Sequence, residues 1–201
     1  MDECQVPSKR NRRKRNVQQD IGPTHLDDFF ASYPAFTFDS SKPVMGEFRR
    51  MCREYRWGGY NPEKDEAYDL FKDALTQQFN AIYGTDVDEI DAWRNLCRVL
   101  RISPIPEGLK ACRQAVEETH VNLVDLVDTY GTGEPVVKFA SEMRLSIYTK
   151  DTGKYFPKEN AYAGGLLRHL LRHIMSPAAE NDGTPRGGSG SGNQRRGRGG
   201  K

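Results

Sequence analysis

Six of the seven residues from Lys9 to Arg15 are Lys or Arg, and the chain closes on Arg-Gly repeats, so any fold must come from the stretch between. Like charges packed that densely repel, and Gly and Ser bury too little apolar area to offset chain entropy. Both ends are therefore expected to be disordered. The middle has the opposite sign: residues 16–185 carry 19 of the 30 Lys and Arg but 26 of the 28 Asp and Glu, a net of −7 beneath a whole-chain value of +2. A domain with that balance is repelled by phosphates, so affinity for nucleic acid is expected to reside in the ends.

The boundaries read from this pattern are a basic arm over 1–24, a helical domain over 25–176 and a Gly/Arg-rich tail over 177–201. A middle of about 150 residues is the commonest size for one domain, with enough chain for one core. No apolar run approaches the roughly 20 residues of a membrane span, and Met1-Asp2-Glu3-Cys4 does not open like a secretory signal. No membrane partner is expected. Cys4, Cys52, Cys97 and Cys112 are scattered without a CxxC pair, which predicts free thiols in a reducing compartment, the last three on apolar helix faces.

Apolar spacing then predicts six or seven helices, an all-α orthogonal bundle. Leu26, Phe29 and Phe30 mark a short first helix ending before Pro34, and Phe36 and Phe38 cover the core from an extended link. A second helix starts near Pro43 with Ser40 or Ser41 as cap and ends at Gly58-Gly59. Asn61-Pro62-Glu63 restarts a third, stopped by Gly84. Asp86 and Glu89 have the spacing of a capping box before a fourth, which carries Trp93, Leu96 and Cys97. Leu109 to Val116 form a fifth that runs or kinks into Leu123–Val127, and Pro135 opens a sixth, although Val136, Val137 and Ile147 also suit a strand. The last starts at Pro157, interrupted at Gly164-Gly165, where another backbone is expected to come close.

Few residues in the middle point to catalysis. Asp151-Thr152-Gly153 spells an aspartic-protease triplet, but Lys150 and Lys154 flank it where apolar strands are required, so a polar turn after a helix is expected. Asp86, Asp88 and Asp91 lack the Gly and Glu of a calcium loop and read as a helix N-terminus. Cys97 and Cys112, imagined with His120 as a nucleophile pair, sit in apolar stripes as packing residues. Gly131-Thr132-Gly133-Glu134 lacks the Lys of a phosphate loop. His169 and His173, four apart on the last helix, have the spacing of two zinc ligands, with no third in view; a small metal-dependent enzyme would have to rest on them. No catalytic residue and no cofactor is assigned.

The ends carry the functional reading. Lys9, Arg10, Arg12, Arg13, Lys14 and Arg15 match a nuclear import signal, read by an import receptor, and the same charges bind RNA or DNA nonspecifically. Arg186, Arg195, Arg196 and Arg198 alternate with Gly in the manner of segments that join phosphate contacts to stacking on bases. The expectation is a nuclear, non-enzymatic module whose ends hold nucleic acid while the acidic domain binds a protein partner. The alternative is a protein adaptor with the basic run serving import alone.

Several runs in the middle, Phe29-Phe30-Ala31-Ser32-Tyr33-Pro34-Ala35-Phe36, Glu47-Phe48-Arg49-Arg50-Met51 with Trp57, Phe79-Asn80-Ala81-Ile82-Tyr83-Gly84, Trp93-Arg94-Asn95-Leu96-Cys97 and Asn122-Leu123-Val124-Asp125-Leu126, resemble a group of small helical proteins of filamentous fungi. The resemblance covers residues 27–175. It implies one intact domain in a fungal nuclear or cytosolic setting and brings no activity or catalytic residue with it.

Overall fold

Phe29 and Phe30, adjacent in sequence, both reach the core because the short helix that carries them packs on the longest described helix. The structure, a computed structural model, describes residues 23–157 and 165–177. The elements are α1 (His25–Ala31), α2 (Val44–Glu54), α3 (Pro62–Tyr83), α4 (Ile90–Val99), α5 (Leu109–Glu117), β1 (His120–Val121), α6 (Leu123–Thr132), β2 (Lys138–Phe139), α7 (Glu142–Thr152) and α8 (Leu167–Leu170). The architecture is mostly helical, as expected, with eight helices among the described residues and one small antiparallel ribbon that pairs His120 with Phe139 and Val121 with Lys138.

The 22-residue α3 is the spine, packed by α1, α4 and α6. It starts where Asn61 Oδ1 accepts the Lys64 N–H with Pro62 in the first turn, and it stops at Gly84, whose φ of 86° a side chain would resist. On its inner face Phe71 stacks on Phe48 at 4.6 Å between ring centroids and meets Phe29 at 5.5 Å, while Phe38 stacks on Phe30 at 4.2 Å. One continuous apolar core results, with Phe30, Phe71, Phe79, Leu75 and Trp93 sealed from solvent.

Several helix ends differ from the sequence reading. Neither Ser40 nor Ser41 caps α2; Pro43 occupies the cap position and the Val44 N–H goes instead to Asp128 Oδ1 on α6, 2.8 Å away. Nor is a capping box formed by Asp86 and Glu89: Asp86 Oδ1 accepts the Asp88 N–H in a local turn, and α4 begins later, at Ile90. The box is at α1, where Thr24 and Asp27 exchange side-chain and backbone hydrogen bonds. Helix α2 ends before Gly58-Gly59, on Arg56 at φ 57°, and α4 ends the same way on Arg101 at φ 51°. In each, the residue after the arginine closes the end by donating to a cysteine carbonyl, Trp57 to Cys52 and Ile102 to Cys97, both at 2.9 Å.

The expected fifth helix is two. Asn122 divides them: its Oδ1 accepts the Val124 and Asp125 N–H groups at the start of α6, and its Nδ2 ties to Thr149 Oγ1 and the Lys154 carbonyl. The stretch from Pro135 begins as strand rather than helix, because Ser141 caps α7 only from Glu142 onward. Of the last helix expected from Pro157, residues 158–164 lie outside the described residues, and the described part is α8. It ends at Leu170, since Leu171 is extended at ψ 139°, so Ile174 lies beyond it.

Gly165 is the close approach expected at the glycine pair. Its φ is +76°, and a Cβ there would meet Thr85 Cα at 2.9 Å and Thr85 O at 3.1 Å, both backbone atoms that cannot swing away. Gly165→Ala is expected to cost about 2 kcal/mol or more, through the left-handed conformation and displacement of the Thr85 loop. Urea unfolding followed by circular dichroism measures it; a change under about 0.5 kcal/mol, the size of a neutral surface substitution, would contradict the packing.

Candidate functional site

The cations of the domain are largely committed to its own structure. Arg50 pairs with Glu47 and Glu54, donates to the Thr37 carbonyl and lies over the Phe36 ring at 4.2 Å. Arg49 closes the end of α7 at the Thr152 carbonyl, Arg94 holds the Glu107 carbonyl and Arg113 the Val87 carbonyl. Arg172 donates to four carbonyls, those of Glu117, Thr119, His169 and Leu171. Arg53, Arg56, Arg98, Arg101, Lys110 and Lys150 do face solvent, but they are spread over four separate helices and helix ends. By contrast α3 turns Glu63, Asp65, Glu66, Asp69 and Asp73 outward along one helix. The sequence-read nucleic-acid residues, Lys9, Arg10, Arg12, Arg13, Lys14, Arg15, Arg186, Arg195, Arg196 and Arg198, lie outside the described residues.

A cleft of about 1080 Å³ is walled by the start of α1, the 38–44 segment, the C-terminal end of α3 and the end of α6. Gly131 sets one wall: the Ser40 carbonyl stands 2.4 Å from where its Cβ would be, so the end of α6 and the link before α2 touch backbone to backbone. Two lining side chains are incompletely satisfied. Gln78 is 4% exposed, and its Oε1 is buried without a hydrogen-bond partner among the described residues; the same holds for Asp128 Oδ2. Burial pushes the Asp128 carboxyl up to about 6, against the opposing pull of the Val44 N–H and the charge of Lys154.

A second cavity, of about 300 Å³, lies between α6, α7 and the chain after α8, with Leu123, Leu145, Phe156 and Leu170 as apolar walls and Lys154 and Arg172 as charged ones. Lys154 is bonded there to Asp125, and Tyr148 donates to Asp125 Oδ2 at 2.8 Å. Burial first, then Asp125, pushes the Tyr148 hydroxyl up, opposite to what a tyrosine base or nucleophile requires. Burial pulls the Lys154 ammonium down, but Asp125 and Tyr148 outweigh it and hold it above its ordinary value. The triad is a clamp between α6 and the end of α7.

The remaining chemical candidates are drawn apart. His169 bonds Glu117 through Nδ1 at 2.6 Å and sets its edge on Trp93, whereas His173, beyond the helix end, is 82% exposed with Glu142 at 3.7 Å. The two imidazoles do not share a helix face, and no group of three metal-ligating side chains occurs among the described residues. Cys97 and Cys112 are fully buried free thiols, and burial, then Cys112, pushes the Cys97 thiol up to about 11, away from a reactive thiolate. Asp151-Thr152-Gly153 is the end of α7, with Gly153 left-handed at φ 64°. Trp57 is a core residue bonded to Glu63, while Tyr60 stands 92% exposed. No described helix is long and apolar enough to cross a membrane.

Sequence reasoning missed Asp128 and Gln78. Asp128 continues an apolar stripe as its polar neighbour would, and its partner on α2 is 84 residues away in the chain, beyond any local pattern. Comparison with known proteins adds no relative: no family model, no curated protein and no solved structure matches the chain.

Proposed function

We propose that the protein is a nuclear, non-enzymatic interaction module: its basic ends bind RNA or DNA nonspecifically, and its acidic helical domain, an orthogonal bundle, binds a protein partner. The observation that supports this is the division of charge. Several arginines inside the domain close helix ends and loops, acids line the outer face of α3, and the densest positive charge in the sequence lies in residues 9–15 and 186–198. Tethering is the mechanism, two electrostatic segments raising the local concentration of a domain that supplies specificity. The likeness to the fungal helical proteins belongs to the same reading.

Fluorescence anisotropy of full-length protein and of residues 21–183, against single-stranded RNA and duplex DNA at two salt concentrations, tests it. Full-length protein is expected to bind with a steep salt dependence, and loss of both ends is expected to weaken binding about tenfold or more, as removal of several phosphate contacts requires. Equal binding by residues 21–183 would place the interface on the domain and overturn the reading. Absence of binding by either would leave the basic run as an import signal and the protein as an adaptor.

A further inference from the structure

We infer that the cleft between α1, α3 and α6 is a binding site for guanidinium and ammonium groups, and that its occupant is the chain's own basic run, Lys9 to Arg15. The inference begins with what the cleft lacks. Gln78 and Asp128 both line the cleft, and the buried acceptors Gln78 Oε1 and Asp128 Oδ2 behind its surface have no partner among the described residues. An unpaired buried acceptor costs free energy, and a carboxylate costs more than an amide, so the group that completes this site is a donor with positive charge. An Arg fork supplies several N–H groups in one plane and can serve two acceptors at once. The lining suits the same ligand: Tyr130 is 47% exposed, and an aromatic ring attracts a cation. Lys42 also lines the cleft but is paired with Asp39 at 2.9 Å. Both orphan oxygens are dry, so a head group reaches them through a side-chain rearrangement at the floor of the cleft.

The choice of occupant follows from the tether. Pro23 and Thr24, where the arm enters the domain, are themselves lining residues. Arg15 lies eight residues before Pro23, a reach of about 26 Å when extended, against an edge of roughly 10 Å for a cavity of this volume. A ligand on so short a tether competes at high effective concentration with any free one. Docking of the arm and binding of nucleic acid would exclude each other, which makes the cleft a brake on the tethering function. The site itself does not depend on that function, because docking is measured with no nucleic acid present.

The test uses full-length protein carrying a nitroxide spin label on Cys4; Cys52, Cys97 and Cys112 are buried and protected from the reagent. Amide signals of Val44, Tyr130 and Gly131 are expected to lose intensity, and to recover in Asp128→Asn and at high salt. A second variant with Lys9 to Arg15 changed to Gln leaves the domain untouched and is expected to recover them too, so the test survives if Asp128→Asn folds poorly. Unbroadened cleft signals in the labelled wild type would overturn the inference, as would broadening that persists in the Gln variant. Broadening centred on the outer face of α3 would assign the arm to the acidic helix and equally reject the cleft.

Discussion

Trp93→Ala is expected to lower the unfolding free energy by about 3–5 kcal/mol, the range for an aromatic truncated to Ala in a packed core. Trp93 has no exposed surface, and it joins three parts of the domain that are distant in the chain. Its Nε1 donates to the Val87 carbonyl at 2.8 Å, holding the α3–α4 loop; the His169 ring stands edge-on to it at 5.1 Å; and the Arg113 guanidinium lies 5.4 Å from its ring centre. Truncation opens a void at this junction and removes one of two donors to Val87, the other being Arg113. Urea unfolding followed by circular dichroism is the suitable measurement, since it does not depend on the indole removed. Tyr60→Ala, at an exposed aromatic, is the control and is expected to stay within about 0.5 kcal/mol of wild type. A loss below about 1 kcal/mol in Trp93→Ala would mean that α8 does not pack on α4 and α5.

Apolar spacing located the helical segments because burial obeys a period that local sequence records. Asn61-Pro62, Gly84 and the phenylalanines of α1 acted as they read, each through contacts within a few residues or through plain burial. What the sequence hid was made of long-range contacts. Ser40 and Ser41 have the right chemistry for a cap, yet Asp128 displaces them because α6 brings a carboxylate to the start of α2. Arg56 and Arg101 are poor residues for a left-handed helix end, and no rule of composition prefers them to the nearby Gly58-Gly59; a six-residue hydrogen bond to a cysteine carbonyl fixes them. His169 and His173 share a spacing that means one face only while the helix continues, and here it stops between them. The charge division is visible from composition alone; the structure adds that Arg49, Arg50, Arg94, Arg113 and Arg172 are tied to the domain's own carbonyls and carboxylates, while Arg53, Arg56, Arg98 and Arg101 face solvent at separate helix ends.

Glu47→Gln is expected to cost about 3 kcal/mol at neutral pH, the lower end of what breaking a buried ion pair costs, because Arg50 keeps partial contact with water. Glu47 is 2% exposed on α2 and accepts from Arg50 through both oxygens and from the Asp39 N–H at 3.0 Å, so one carboxylate fastens α2 to the link that covers the core. The pH dependence has a definite sign. Burial pushes this carboxyl up, but the Arg50 hydrogen bonds, the Asp39 N–H and the Arg50 and Lys42 charges outweigh burial and leave it below its ordinary value near 4.5. The folded state therefore releases the proton more readily than the unfolded one. The stabilisation is complete above about pH 4.5 and is lost as pH falls through the lowered folded value. Asp39, held down to about 2 by Ser41 and Lys42, acts in the same direction. Asp128 acts in the opposite one: raised to about 6, it favours the folded state while protonated, and its contribution is lost as pH rises from near 4 to above 6. The gap between wild type and Glu47→Gln, from urea midpoints taken across the acid range, should narrow as pH falls below 4.5, because Asp128 is common to both proteins and cancels. A gap that stays constant down to about pH 2 would show that Glu47 stabilises by shape alone, since only an ionised partner loses its worth on protonation.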